Sequence, residues 1–239
     1  MYKDTVVVIP TYNEEKNIRD LIYILLQKLP NVSIYIIDDS PNNLTMQKIP
    51  KKKNIFFKLR KNKSGRGSAV LYGFKKAISK KKFKYFIEMD ADFSHNPKEI
   101  IKNLFILKKK KLDLLIASRY LSKSKITNWS FSRKTLSFSA NILAKLLLKV
   151  PVSDYTNGFR FYSKKSVKLI LKKCGKISDG FIILSEILFT IHLNNLKIDQ
   201  TYTTFVNRKR GKSSVNLFLI LKSLIGIFVI YFNKKNYIK

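Results

Sequence analysis

Three acidic residues, Glu88, Asp90 and Asp92, alternate along the short segment "EMDADFSH" of a chain that carries 48 Lys+Arg against 15 Asp+Glu. Side chains two apart on a strand share a face, so Asp90 and Asp92, at or just past a strand end, can point the same way. Two such carboxylates repel unless a cation lies between them. Mg²⁺ takes oxygen ligands, keeps one or two protein carboxylates and completes its shell with water and substrate phosphate. The pair therefore points to a divalent metal held against a diphosphate, with solvated loop acids ahead of a helix as the alternative.

Other polar clusters punctuate the first half. "PTYNEE" (10 to 15) can stack a base on Tyr12 and accept from it with Glu14; equally, Asn13 can cap a helix with acids in its first turn. "DDSPNN" (38 to 43) is made of turn formers, and Asp38 and Asp39 can also accept hydrogen bonds from a ribose or base. "KSGRGSA" (63 to 69) is a loop entering a helix that can offer N–H groups to phosphate, although it lacks a P-loop ending.

The elements that must carry these clusters alternate in type. Short β-branched runs at 5–10, 33–40, 55–60, 85–90 and 113–118 predict strands. Helices are predicted over 14–29, 66–80 and 97–110, the last opened by Asn96 as cap and Pro97 at the first turn. This order implies an α/β fold with a mostly parallel sheet and helices on both faces, whose ligands bind at the carboxyl ends of the strands. "PTYNEE", "DDSPNN", "DADFSH" and "SRY" (118 to 120) follow strands one, two, four and five and converge at those ends. The second half predicts helices over 129–150, 181–195 and 216–232 with strands at 158–163 and 201–206. No convincing domain boundary appears.

The formal charge of +33 favours polyanionic partners, yet 40 of the 48 basic residues are Lys spread through runs, which compositional drift also produces. The eight Arg say more, because the guanidinium fork suits phosphate or carboxylate. A single cysteine, Cys174, excludes an intramolecular disulfide and a cysteine zinc cage and fits a reducing cytoplasmic setting. No signal peptide is read at the N-terminus. His95 and His192 are expected to be structural or exposed. A nucleic-acid-binding module is the remote alternative, and no recognition motif supports it.

In combination, "VVVIPTYNEEKNI", "IIDDSPNN", "GRGSAVLYGFKKA", "FIEMDADFSHNP" and "SRY" resemble the GT-A glycosyltransferases of family two. "RKTLSFSANILAKLLLKVPVSDYTNGFRFY", "GFIILSEILF" and "TTFVNRKRGKSS" are similar to the dolichol-phosphate or polyprenyl-phosphate mannosyltransferase branch. The resemblance implies inverting transfer of a sugar, mannose from GDP-mannose, to a polyprenyl monophosphate. A related family-two enzyme with another nucleotide sugar or a saccharide acceptor is the alternative.

The resemblance also implies roles. Pro10, Tyr12, Glu14, Ile37, Asp38, Asp39, Asp90, Ala91, Asp92, Arg208 and Lys212 would hold the nucleotide sugar; Asp90, Asp92 and Ser94 would hold Mg²⁺ or Mn²⁺. Arg119, Arg133 and Ser137 would hold the lipid phosphate, so that Asp90, Asp92, Arg119, Arg133 and Arg208 form the catalytic set. Arg66, Arg119, Arg133, Arg160 and Arg208 all fall in these segments. Ser94 stands where some relatives carry Gln, and Gly211-Lys212-Ser213-Ser214 displaces the lysine of their Gly-x-Ser-Lys.

One domain over 1–239 is expected, with a nucleotide-sugar half (1–120), an acceptor half (121–215) and an amphipathic, membrane-associated end (216–239). The apolar stretch from Leu217 to Phe232 is shorter than the ~20 residues a span needs. It is expected to lie in the interface with 136–150, peripherally on the cytoplasmic side; core or oligomer packing is the alternative.

Overall fold

A computed structural model describes residues 1–60, 65–176, 182–208 and 217–238, with side chains from Ile225 onward in the last of these. In chain order the elements are β1 (Thr5–Thr11), α1 (Ile18–Lys28), β2 (Ser33–Asp38), α2 (Leu44–Gln47), β3 (Ile55–Leu59), α3 (Arg66–Ile78), β4 (Tyr85–Glu88), a 3₁₀ turn and α4 (Ile100–Lys109), and β5 (Leu114–Ser118). There follow β6 (Lys125–Thr127), α5 (Phe131–Leu148), β7 (Arg160–Ser163), α6 (Lys164–Lys173), α7 (Ile183–Leu193), β8 (Ile198–Tyr202), β9 (Thr204–Val206) and α8 (Leu217–Phe232).

The main sheet runs β3-β2-β1-β4-β7-β5-β8. All neighbours pair in parallel except β7, which lies antiparallel between β4 and β5. Continuous apolar runs suit this sheet because both its faces are covered. Along β1, Val6 and Val8 join one buried cluster with Phe74 of α3 and Ile183 of α7, while Val7 and Ile9 join another with Leu21 of α1 and Leu104 of α4. The period of two along a strand supplies both cores. At Gly73 a Cβ would stand 2.4 Å from Val8 Cγ1, so only glycine lets α3 lie this close to β1.

β1, β2, β4 and β5 end on one edge, as the sequence predicts. Some boundaries move. Helix α1 begins at Ile18, and Asn13, at φ 56°, is not its cap; the Asn13 N–H donates instead to Ser40 Oγ at 2.7 Å. The strand expected over 201–206 is divided into β8 and β9, and β9 leaves the main sheet to pair in parallel with β6. Helix α6 is not anticipated from sequence. Ser163 caps it by accepting from the Ser166 N–H, and Val167 and Ile170 bury its apolar side.

Candidate active site

Strand β4 ends at Glu88, so Asp90 and Asp92 lie in the loop beyond it, where Phe93 turns the chain at φ 61°. The three acids have different partners. Glu88 is buried and accepts from Arg66 Nη1 and from Tyr162 OH at 2.7 Å. Asp90 Oδ1 accepts from Arg66 Nε at 2.8 Å. Asp92 Oδ2 lies 2.9 Å from Arg208 Nη2, and its Oδ1 accepts from the Ser94 N–H at 3.1 Å. Burial would raise the Asp90 pKa, but the Arg66 guanidinium, with Arg208, outweighs it and holds the carboxyl below its ordinary value.

His95 is structural, as expected, and sits inside the site. Its Nδ1 accepts from the Asp90 N–H at 3.0 Å, so Nε2 carries the proton and donates to Asn157 Oδ1 at 2.9 Å. Asn157 donates onward to the Ala117 carbonyl of β5. The imidazole stacks on Phe159 with centroids 5.1 Å apart.

Arg119 follows β5 and grips buried Asp154 through Nε and Nη2, both at 2.8 Å. A third bond joins its backbone N–H to Asp154 Oδ2. Its guanidinium is framed by Tyr120, Trp129 and Phe205. Arg133, in the first turn of α5, lies 4.3 Å from the Trp129 ring centroid and donates to Asn207 Oδ1 at 3.1 Å. Among the described residues it makes no ion pair. Desolvation, then Arg208 and Arg119, lower its pKa. Such crowding of guanidinium groups is relieved by a bound anion. Ser137, one turn on, accepts from Tyr120 OH at 2.6 Å.

Arg66, Asp90, Asp92, His95, Arg119, Arg133 and Ser137 line one cleft of about 190 Å³. Asp90, Asp92, Arg119, Arg133 and Arg208 form its polar end, and Leu136, Ala140, Ile182 and Ile227 continue it between α5 and α8. The pair β6 and β9 sets the far wall: the Val206 N–H donates to the Ser94 carbonyl and the Asn207 N–H to the Thr127 carbonyl, which brings Arg208 over Asp92.

The remaining candidates lie at the ends of β1 and β2, outside that cleft's lining. Asp38 Oδ1 accepts from Thr11 Oγ1 at 2.9 Å and Ser40 Oγ at 2.7 Å, while Oδ2 is buried with no hydrogen-bond partner among the described residues. Asp39 is clamped by Arg60 through Nε and Nη2. Pro10 pairs across the sheet with Ile37, whose side chain packs beneath Gly73 of α3, so only its main chain faces the edge. Ala91 is likewise buried in an apolar cluster. Tyr12 is exposed at the edge. Half-buried Glu14 has its pKa raised to about 7 by burial and by Asp92 and Asp90, against Asn17 and Arg208, which ties it electrostatically to the acidic loop.

Lys212, Lys63 and Ser64 lie outside the described residues. Arg160, which falls in the same segments, is fully buried and donates to the carbonyls of Tyr155, Asn157 and Leu184, so it braces the chain. Sequence reasoning missed Asp154, Asn157, Arg60 and the Glu88–Arg66 pair as partners. "SDYTNGFR" offered polar residues ahead of a strand, but nothing local assigns them to Arg119 or His95.

For a divalent cation, Asp90, Asp92 and Ser94 offer only hard oxygen donors, and no set of three or more His, Cys, Asp or Glu converges among the described residues. The donor set fits a cation that completes its shell with substrate and water. Such a cation would share Asp92 with Arg208, which lies on its Oδ2.

The fold is of the GT-A type, a mostly parallel sheet with helices on both faces. A crystal structure of a mycobacterial protein superposes with TM-score 0.66 at 15% identity over 94% of this chain and 73% of that one. Glucosyl-3-phosphoglycerate synthase of Mycobacterium tuberculosis, solved with Mn²⁺, UDP and glucosyl-3-phosphoglycerate, gives 0.64 at 15% identity over 98% and 80%. The model of glycosyl transferase family 2 matches residues 6–171, and the chain belongs to that family. It is 30% identical over 217 residues to the polyprenol monophosphomannose synthase of Mycolicibacterium smegmatis, covering 89% of this chain and 81% of the relative. It is 34% identical over 229 residues to the dolichol-phosphate mannosyltransferase of Pyrococcus furiosus, covering 93% of this chain but 62% of that longer relative, less than two thirds of its length.

Proposed function

We propose that the protein transfers mannose from GDP-mannose to a polyprenyl (dolichyl-type) monophosphate, with inversion at the anomeric carbon. The observation that carries this is the two-ended cleft: guanidinium groups crowd one end and apolar residues line the other, matching a phosphate on an isoprenoid chain. The names of the two mannosyltransferase relatives support the same donor sugar and acceptor class.

In this account the 1–120 half takes the nucleotide at Pro10, Tyr12, Glu14, Asp38 and Asp39 and through the main chain of Ile37 and Ala91. Asp90 and Asp92, with Ser94 beside them, would hold Mg²⁺ or Mn²⁺. Bound there, the cation supplies charge stabilisation to the departing diphosphate. Arg133 and Arg119, with Ser137, orient the acceptor phosphate from the opposite side. That phosphate is largely ionised near neutral pH, with a second pKa of ~6, so no side chain need remove a proton from it. Arg208, freed from Asp92, meets the charge that develops on the donor phosphates. The enzyme's contribution is positioning and preorganised charge.

The acceptor must be met at a membrane. Phe131, Phe138, Ile142 and Leu146 form an exposed stripe on α5, and Ile225, Phe228, Val229 and Phe232 form another on adjoining α8. No described helix is long and apolar enough to cross a bilayer. The two stripes suit peripheral seating in the interface, on the cytoplasmic leaflet, with basic residues toward the headgroups.

The test is transfer of labelled mannose from GDP-mannose to polyprenyl phosphate in detergent micelles, with Mn²⁺ or EDTA. Labelled lipid that requires metal and vanishes in Asp92→Ala is expected. Absence of labelled lipid from folded protein, with transfer from another nucleotide sugar, would reject this donor.

A further inference from the structure

Arg66 opens α3, and its buried guanidinium grips two acids of the loop at once, Nη1 on Glu88 Oε1 and Nε on Asp90 Oδ1 at 2.8 Å. Tyr162 OH holds the other Glu88 oxygen from β7. Space for the guanidinium comes from Gly158: a Cβ there would lie 1.9 Å from Arg66 Nη2 and 2.6 Å from Cζ. A Cβ at 158 would force the Arg66 guanidinium to shift. Helix α3, strand β4 and the approach to β7 are thus joined through one residue, while His95 fixes the Asp90 main chain from the other side.

We propose that Arg66 is a positioning residue: seated in the space beside Gly158, it commits Asp90 Oδ1 and orients the carboxylate so that its other oxygen serves the divalent cation. The inference rests on the metal role proposed above for Asp90. Its sign is open to measurement because a guanidinium near a cation has two opposed effects. Its charge repels the cation, so loss of Arg66 by charge alone would tighten metal binding. Its fork orients the ligand, so loss of Arg66 from a positioning role weakens binding. Lysine, a single-point donor, cannot hold two carboxylates in this fork geometry.

The experiment titrates Mn²⁺ into full-length protein saturated with GDP, reading free Mn²⁺ by electron paramagnetic resonance and the thermal midpoint of each variant. Removing Arg66 alone strands buried Glu88, so Arg66→Leu is made together with Glu88→Gln, which removes both charges of the pair. Gly158→Ala, which displaces the guanidinium while keeping its charge, and Arg66→Lys are the independent variants. Wild type is expected to bind Mn²⁺ and Asp92→Ala to lose it. The paired variant and Gly158→Ala should each raise the Mn²⁺ dissociation constant about tenfold, the usual scale for residues that orient metal ligands. Adding Gly158→Ala to the paired variant should change little more, because both act through one contact. Arg66→Lys should resemble the paired variant. Unchanged or tighter Mn²⁺ binding in Gly158→Ala or the paired variant overturns the positioning role and leaves the proposed reaction standing. A wild type that binds no Mn²⁺ overturns both.

Discussion

Arg208 Nη2 rests 2.9 Å from Asp92 Oδ2, so a guanidinium occupies the carboxylate that the proposed metal needs. The two cations compete for one oxygen. Arg208→Gln should therefore bind Mn²⁺ more tightly than wild type yet turn over more slowly, by about 10²-fold if Arg208 acts like one preorganised donor to developing charge. Mn²⁺ titration beside kcat checks both signs; weaker Mn²⁺ binding in the variant would argue against the exchange.

Glu14 gives a pH signature. With its pKa raised to about 7, burial first among the causes, it is largely protonated below neutrality and ionised above. If it accepts from the nucleotide base, GDP affinity strengthens as pH rises through about 7. Glu14→Gln should flatten that profile. Calorimetric GDP binding across about pH 6 to 8 decides, since the nucleotide's own titration is common to both proteins.

Arg133, whose guanidinium meets only Asn207 and the Trp129 ring among the described residues, is the guanidinium most ready for an acceptor phosphate. Loss of a charged hydrogen bond costs about 1.5–3 kcal/mol. Arg133→Ala should lower kcat/KM for polyprenyl phosphate by roughly 10- to 100-fold, with GDP affinity unchanged. Equal loss of GDP binding would move Arg133 to the donor side.

The apolar stripes predict a separable defect. Phe138→Ser with Phe228→Ser should weaken partition onto anionic vesicles at least about tenfold, since each buried aromatic contributes roughly 1.5–3 kcal/mol. The thermal midpoint should stay within a few degrees. Vesicle sedimentation tests this, and unchanged partition together with loss of a dimer would assign the face to self-association.

Glu186 in α7 accepts from the Gly175 N–H and from Tyr237 OH, and burial raises its pKa above the ordinary 4.5. The folded state then keeps a proton that the unfolded chain releases, so this group's effect on stability becomes less favourable as pH rises above 4.5. Glu186→Gln removes that slope. Thermal melts at about pH 5 and about pH 8 should show the variant gaining on wild type at the higher pH; a constant difference would contradict the shift.

Much of the architecture was legible because it is written in short-range pattern. "TVVVIP" and "IYIID" could only be buried strands, and Asn96 caps the turn after Asp92 as its type and the following Pro97 predict, accepting from the Lys98 N–H at 3.0 Å. α6 escaped because its lysines obscure the apolar period of Val167 and Ile170. The bracing role of Arg160 was not legible, because an Arg in a site-bearing segment looks the same whether it faces a phosphate or three buried carbonyls.

The sequence by itself determined the alternating elements, the edge where their polar ends meet, and the oxygen-rich acids suited to a hard cation, since local periodicity and side-chain chemistry need no distant partner. Only the tertiary structure decided which cation each acid faces: Arg66 for Glu88 and Asp90, Arg208 for Asp92. Those pairs join residues 22, 24 and 116 positions apart, and they depend on β7 entering between β4 and β5 and on the bare Cα of Gly158. Such contacts arise from chain crossings and steric room, which no local run of residues encodes.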